Sequence, residues 1–131
     1  ELKEAEISVE YEMIYPNEEM ISILRLCKEI EKIVIIVSDM YYPESILKKF
    51  LEFNDIVDYS RLYISSDYNV TKASGKLWEI IKKRYENEKI IHIGDAIKGD
   101  FFRPLFNGID AFWYRRNGKG LYVGKNGCRS I

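Results

Sequence analysis

Long apolar runs, blocks of like charge, cysteine pairs and glycine-rich nucleotide loops are all missing from this sequence, and each absence closes off a class of function. No stretch approaches the length of a transmembrane helix, and no charged-then-apolar leader opens the chain. Twenty-one acidic residues face 20 basic ones, a net charge of -1, so electrostatics gives no case for nucleic acid or for a membrane surface. Two cysteines, Cys27 and Cys128, form neither metal-ligand spacing nor a disulfide framework. A reducing cytoplasm is therefore the expected location, with Cys27 a small core residue. No GxGxxG follows any strand-like segment, which ranks a dinucleotide-binding module behind the other readings. Internal repeats and dividing linkers are absent too. The first residue is Glu1 and not Met, so a piece of a longer product is expected.

What is present is a chain of 131 residues, the size of one domain with a real core: a leading segment 1–16, a core 17–116 and a glycine-rich tail 117–131. The opening is ambiguous. Ile7, Val9, Tyr11 and Met13 alternate as in a strand, yet ELKEAE is helix-friendly, and both readings stand. Asn17 is placed to cap a helix whose first turn holds Glu18 and Glu19, with Met20, Ile23, Leu24, Cys27 and Ile30 on one face. Residues 33–37 are all Ile or Val, as in a strand covered on both faces of a parallel sheet. Pro43 opens a second helix with Ile46, Leu47, Phe50 and Leu51 inward. A short strand at 62–64, a polar loop YNVTKASG, a helix with Leu77, Trp78, Ile81 and Tyr85 inward, a strand at 90–93, a short helix at 101–106 stopped by Gly108 and a strand at 111–114 follow. The tail reads as turns or a hairpin. Alternation of this kind predicts an α/β fold, a parallel sheet with helices on both faces.

In a parallel sheet the carboxyl ends of the strands share one edge, where ligands gather. Three strand ends carry polar residues: Ser38, the loop bearing Lys72, and Asp95 with Asp100 in IIHIGDAIKGD. A hydroxyl and an ammonium suit phosphate oxygens, and paired carboxylates suit Mg²⁺. A Gly-Asp turn is also ordinary turn chemistry, and Asp100 can equally cap the next helix.

Taken in order, VSDMYYPESIL, SSDYNVTKASGKLW and IIHIGDAIKGD resemble motifs II, III and IV of the haloacid dehalogenase (HAD) superfamily. The likeness is closest to a branch found with bacterial polysaccharide and glycosyltransferase genes, and it covers about residues 1–114. It implies a three-layer Rossmann-like sheet, with residues 1–16 returning from a small cap. It also implies Mg²⁺-dependent hydrolysis of a small phosphorylated substrate. Carried over, Ser38 holds the transferring phosphoryl group, Lys72 neutralises phosphate and orients the nucleophile, Asp95 binds Mg²⁺ directly, and Asp100 supports it through water or an outer contact. Lys76 is the fallback for Lys72, though its place on the helix favours a solvated surface residue. Ala96 replaces the usual Asn and Gly99 the usual Ser.

The family's nucleophile is the first Asp of a DxDx(T/V) sequence, whose second Asp acts as general acid and base; no DxD occurs in this chain. Asp39, and Asp55 with Asp58, do not fit its spacing. The resemblance thus implies that motif I, the cap and the first, central strand lie outside the sequence, between 33–37 and 90–93 in the sheet. Open strand edges invite pairing, so the expectation is another chain or a missing N-terminal segment supplying the strand, the alternating 6–13 stretch filling the gap, or self-association. The chain alone is expected to be inactive. The rival reading is a non-catalytic HAD-like module for binding or assembly beside a glycosyltransferase. His92 reads as a hydrogen-bonded core residue, Trp78 and Trp113 as packing, Tyr41, Tyr42 and Tyr68 as loop residues able to line a pocket, and Arg115-Arg116 as solvated.

Overall fold

The computed structural model describes residues 4–5, 17–40, 42–115, 121–124 and 127–130. The 6–13 stretch, Tyr41 and Arg116 therefore lie outside the described residues, as does the side chain of Cys128. The chain divides into two compact units, Glu1–Ile64 and Ser65–Ile131.

In the first unit, Asn17 caps helix α1 (Glu18–Glu29), its Oδ1 accepting the N–H groups of Glu19 (3.0 Å) and Met20 (3.2 Å). Those are two of the donors that a helix start leaves unpaired, and Glu18 and Glu19 add negative charge at the positive end of the dipole. The face expected to be buried is only half-buried at Met20, Ile23, Leu24 and Cys27. Ile30 is exposed, because the helix ends at Glu29 and Ile30 becomes its cap. Glu31 then takes a left-handed backbone conformation (φ 57°) that turns the chain toward strand β1 (Ile35–Ser38).

Coverage of residues 33–37 on both faces is not what the structure has. Ile33 precedes the strand and is 66% exposed, and all four residues of β1 are half-buried. The reason is the size of the sheet: among the described residues β1 pairs only with β2 (Arg61–Ile64), in parallel, Ile36 opposite Leu62. A two-stranded sheet is too narrow to enclose its strands. Between them runs helix α2 (Glu44–Phe53), capped by Pro43, which places Leu47 and Phe50 in the core with Ile46 and Leu51 packed against it. Leu62 and Ile64 complete that core. Tyr42 belongs to it as well and does not line a pocket; it is 2% exposed, its ring edge-on to Phe50 at 5.8 Å.

The second unit opens with a single 3₁₀ turn (Ser65–Tyr68) and the polar loop, then helix α3 (Lys76–Arg84). Leu77, Trp78 and Ile81 are buried as their spacing predicts, while Tyr85, beyond the last helical residue, is half-buried. Strand β3 (Ile91–Gly94) leads into a wide π-helical turn (Ile97–Phe102) and one tight α-helical turn, α4 (Arg103–Phe106). The helix expected at 101–106 thus starts earlier and is wider. Gly108, in the left-handed region at φ 73°, stops it, as expected of a helix-terminal glycine. Strand β4 (Asp110–Trp113) pairs with β3 in parallel, and the tail forms an antiparallel hairpin, β5 (Leu121–Gly124) and β6 (Gly127–Ser130), laid against β4. The architecture is mixed α/β, with parallel pairing in both units and antiparallel pairing in the second.

Core packing sets the order of sensitivity. Ile81, fully buried, is expected to lose about 2–5 kcal/mol of unfolding free energy on change to Ala, whereas Phe106, 77% exposed, should change by about 0.5 kcal/mol or less. Urea unfolding of the two variants, followed by tryptophan fluorescence, measures both.

Candidate functional site

The candidate residues of the second unit converge at the carboxyl end of β3. Asp100 sits in the π-helical turn and is buried, its side chain 4% exposed. Burial of a lone carboxylate is costly, so each oxygen needs donors. Its Oδ1 accepts from Lys72 Nζ at 2.7 Å and lies 3.0 Å from His92 Nε2, and its Oδ2 accepts the backbone N–H of Ala96 at 3.1 Å. Burial by itself would raise the Asp100 pKa. The hydrogen bonds from His92 and Lys72, together with the lysine's charge, overcome that and hold the carboxyl well below the ordinary carboxylate range.

Each donor is delivered by a different piece of chain. Lys72 comes from the polar loop, where Thr71 and Ser74 tie a tight turn: Thr71 Oγ1 accepts the Ser74 N–H at 3.1 Å, and Ser74 Oγ donates to the Thr71 carbonyl at 2.8 Å. Gly75, left-handed at φ 83°, closes that loop and caps α3. The Lys72 side chain is only 12% exposed, whereas Lys76, one turn into solvent at the start of α3, is exposed.

His92 comes from β3 itself. Its ring, 14% exposed, lies against Trp78 with centroids 4.4 Å apart, and Trp78 Nε1 in turn donates to the Gly99 carbonyl at 2.8 Å. Burial pushes the His92 pKa below its ordinary value, only partly opposed by Asp100. That shift favours the neutral ring, and a hydrogen bond to the Asp100 carboxylate requires the proton on Nε2.

Two glycines make this packing possible. A Cβ at Gly94 would stand 2.5 Å from both Cβ and Oδ2 of Asp100, so the Asp100 side chain lies where any other residue's side chain would be. A Cβ at Gly99 would meet Lys72 Cβ at 3.2 Å. The Gly-Asp step thus serves close approach, not turn geometry.

Asp95 is placed differently. It is exposed just beyond β3, its carbonyl accepting from Trp113 Nε1 at 3.1 Å, and Arg115 lies over the Trp113 ring at 4.9 Å. Among the described residues no three His, Cys, Asp or Glu side chains converge as a metal group. Because both oxygens of Asp100 already accept from protein donors, the carboxylate open to a cation here is that of Asp95. Mg²⁺ commonly keeps several waters and takes one or two carboxylates alongside phosphate oxygens, so this donor set fits a hydrated, loosely held ion and not a closed cage.

Ser38 belongs to the first unit, at the end of β1, where its Oγ accepts the Met40 N–H at 3.1 Å. Sequence reasoning gave His92 a core position but no part in the site. The signal was available: His92 and Gly94 are two apart on a strand, hence on one face, and Asp100 lies on that face.

Removing one partner of the buried pair strands the other charge, so the costs of the two changes should not add. Lys72→Met is expected to lower unfolding free energy by about 3–5 kcal/mol, and Lys72→Met/Asp100→Asn by clearly less than the sum of the single changes, in a denaturation double-mutant cycle. A second expectation concerns pH. His92, with its folded pKa depressed, stabilises fully above its ordinary value of 6.5, and the contribution is lost as pH falls from there toward the folded pKa. Asp100, also depressed, stabilises above its ordinary value of 3.8 and loses that contribution at lower pH. Since His92 is the chain's one histidine, stability measured from pH 7 to 5 should decline in the native chain and flatten in His92→Phe.

No model of a known protein family matches this chain, and no curated protein sequence matches it.

Proposed function

We propose that this chain forms part of a Rossmann-like, HAD-type phosphohydrolase core without its first, central strand. In this reading the complete core hydrolyses a small phosphate monoester in the presence of Mg²⁺, through an aspartyl-phosphate whose nucleophile lies outside these residues. One observation carries the reading: Lys72 and Asp100, 28 positions apart, form a 2.7 Å ion pair beyond the end of a parallel strand, beside exposed Asp95. An ammonium anchored there suits phosphate oxygens, and Asp95 would hold a hydrated Mg²⁺. The ion, when bound, would neutralise charge on the phosphate. Lys72 would orient the phosphate, and Asp100 would keep Lys72 and the turn carrying Asp95 in place. Ser38 enters through the resemblance to motif II alone. The open edges of β1 and β3, each with a single pairing partner among the described residues, are where further strands can join.

A second reading has its own support. Lys72 already spends a hydrogen bond and its charge on Asp100, an arrangement that also serves a module keeping the fold for binding or assembly beside a glycosyltransferase.

Turnover of p-nitrophenyl phosphate separates the two. The 131-residue chain is expected to be inactive, and a chain that also carries a DxD segment ahead of it to be active with Mg²⁺, activity being lost in Asp95→Asn. Brisk turnover by the chain alone, removed by Asp95→Asn, overturns the external nucleophile. Inactivity of the extended chain favours the module.

A further inference from the structure

The residues that hold Asp100 are not equivalent in kind. Lys72 supplies charge from a loop, and Ala96 supplies an N–H from the turn that Asp100 itself closes, its own N–H donating back to the Ala96 carbonyl at 2.7 Å. His92 alone reaches Asp100 from a regular element, and its ring is fixed by contact with Trp78, one of the most deeply buried side chains of the unit. Trp78 is itself tied by its indole N–H to Gly99, the residue before Asp100. The strand, the helix and the turn are thus locked together through one imidazole.

We propose that His92 is a positioning residue of this site: donating Nε2–H to Asp100 Oδ1 from the face of Trp78, it fixes the carboxylate so that Oδ2 closes the Gly94–Ala96 turn and Oδ1 anchors Lys72. It touches neither a substrate nor a metal ion in this role. It sets the geometry in which Asp95 and Lys72 are presented. The purpose of that geometry rests on the phosphohydrolase reading, but the hydrogen bonds can be tested without it.

Two measurements on the 131-residue chain decide the matter. Long-range ¹⁵N–¹H NMR of the single imidazole should show the neutral Nε2–H tautomer at pH 7.5. The Nδ1–H tautomer, which would turn a lone pair toward the carboxylate, overturns the proposal without any variant. Amide exchange then tests the consequence. In His92→Phe, which keeps a ring on Trp78 but has no donor, Ala96 N–H should exchange about tenfold faster than in the native chain, the effect of one ordinary hydrogen bond. The rate is read relative to Ile109 N–H, which donates to Pro104 in the same unit and reports overall opening. His92→Gln, which retains an N–H donor, should restore most of the protection. Equal acceleration at Ala96 and Ile109, or none at Ala96, assigns His92 a packing role and sinks the proposal. Failure of the phosphatase assay leaves these results untouched and sinks only the functional reading.

Discussion

A buried carboxylate must be matched by donors, and in the second unit that requirement organises everything around Asp100. Taking an ion of this size out of water costs several kcal/mol even after relaxation, which attraction to Lys72 offsets only when the geometry is good and the remaining lone pairs are filled. Here they are filled from three directions, by a loop ammonium, a strand imidazole and a turn amide. The alternatives are open to comparison within the same chain. The Lys28–Asp58 pair of the first unit is equally short at 2.8 Å, but its side chains are exposed, and water and salt screen it. Of the two, the Lys72–Asp100 pair is the one whose loss strands a charge.

From that constraint the backbone follows. Asp100 occupies the space above Gly94, so the strand must end in glycine for the carboxylate to reach both His92 and the Ala96 amide. Gly99 is a second case. A side chain there would crowd the Lys72 Cβ, and the Gly99 carbonyl is the acceptor for Trp78. Glycine at position 99 therefore leaves room for the Lys72 loop to pack against the turn. A wide helical turn between Ile97 and Phe102 suits the same purpose, since it faces Asp100 inward while Ile97 and Phe102 stay exposed.

Local signals in the sequence were enough to place most elements. Asn17 before two glutamates, the inward set of Leu77, Trp78 and Ile81, and Gly108 as a stop each encode their role within a few residues, and the structure has them in those roles. Burial was less legible. An unbroken run of Ile and Val reads as a doubly covered strand, yet whether anything covers it depends on how many strands lie alongside, which no local pattern records. Tyr42 is the converse: next to a proline in a loop, it belongs to the core because α2 turns Phe50 toward it. The cluster itself was half legible. Spacing brought Lys72 and Asp100 to one sheet end, but His92 looked inert because a histidine in an apolar strand carries no mark of the partner that folding gives it.

The doubling of donors on one oxygen has a chemical consequence that goes beyond stability. If Asp100 Oδ1 accepted from Lys72 alone, any anion drawing the ammonium away would leave a buried charge without a partner on that side, at a cost comparable to breaking the pair. With His92 at the same oxygen and Ala96 holding the other, the carboxylate keeps two hydrogen bonds even where the contact with Lys72 loosens. The neutral imidazole suits this task better than a charged one, because it steadies Asp100 without adding a second cation beside Lys72. Donors from a loop, a strand and a turn thus fix the Asp100 carboxylate together, so its placement does not depend on the ion pair with Lys72 alone.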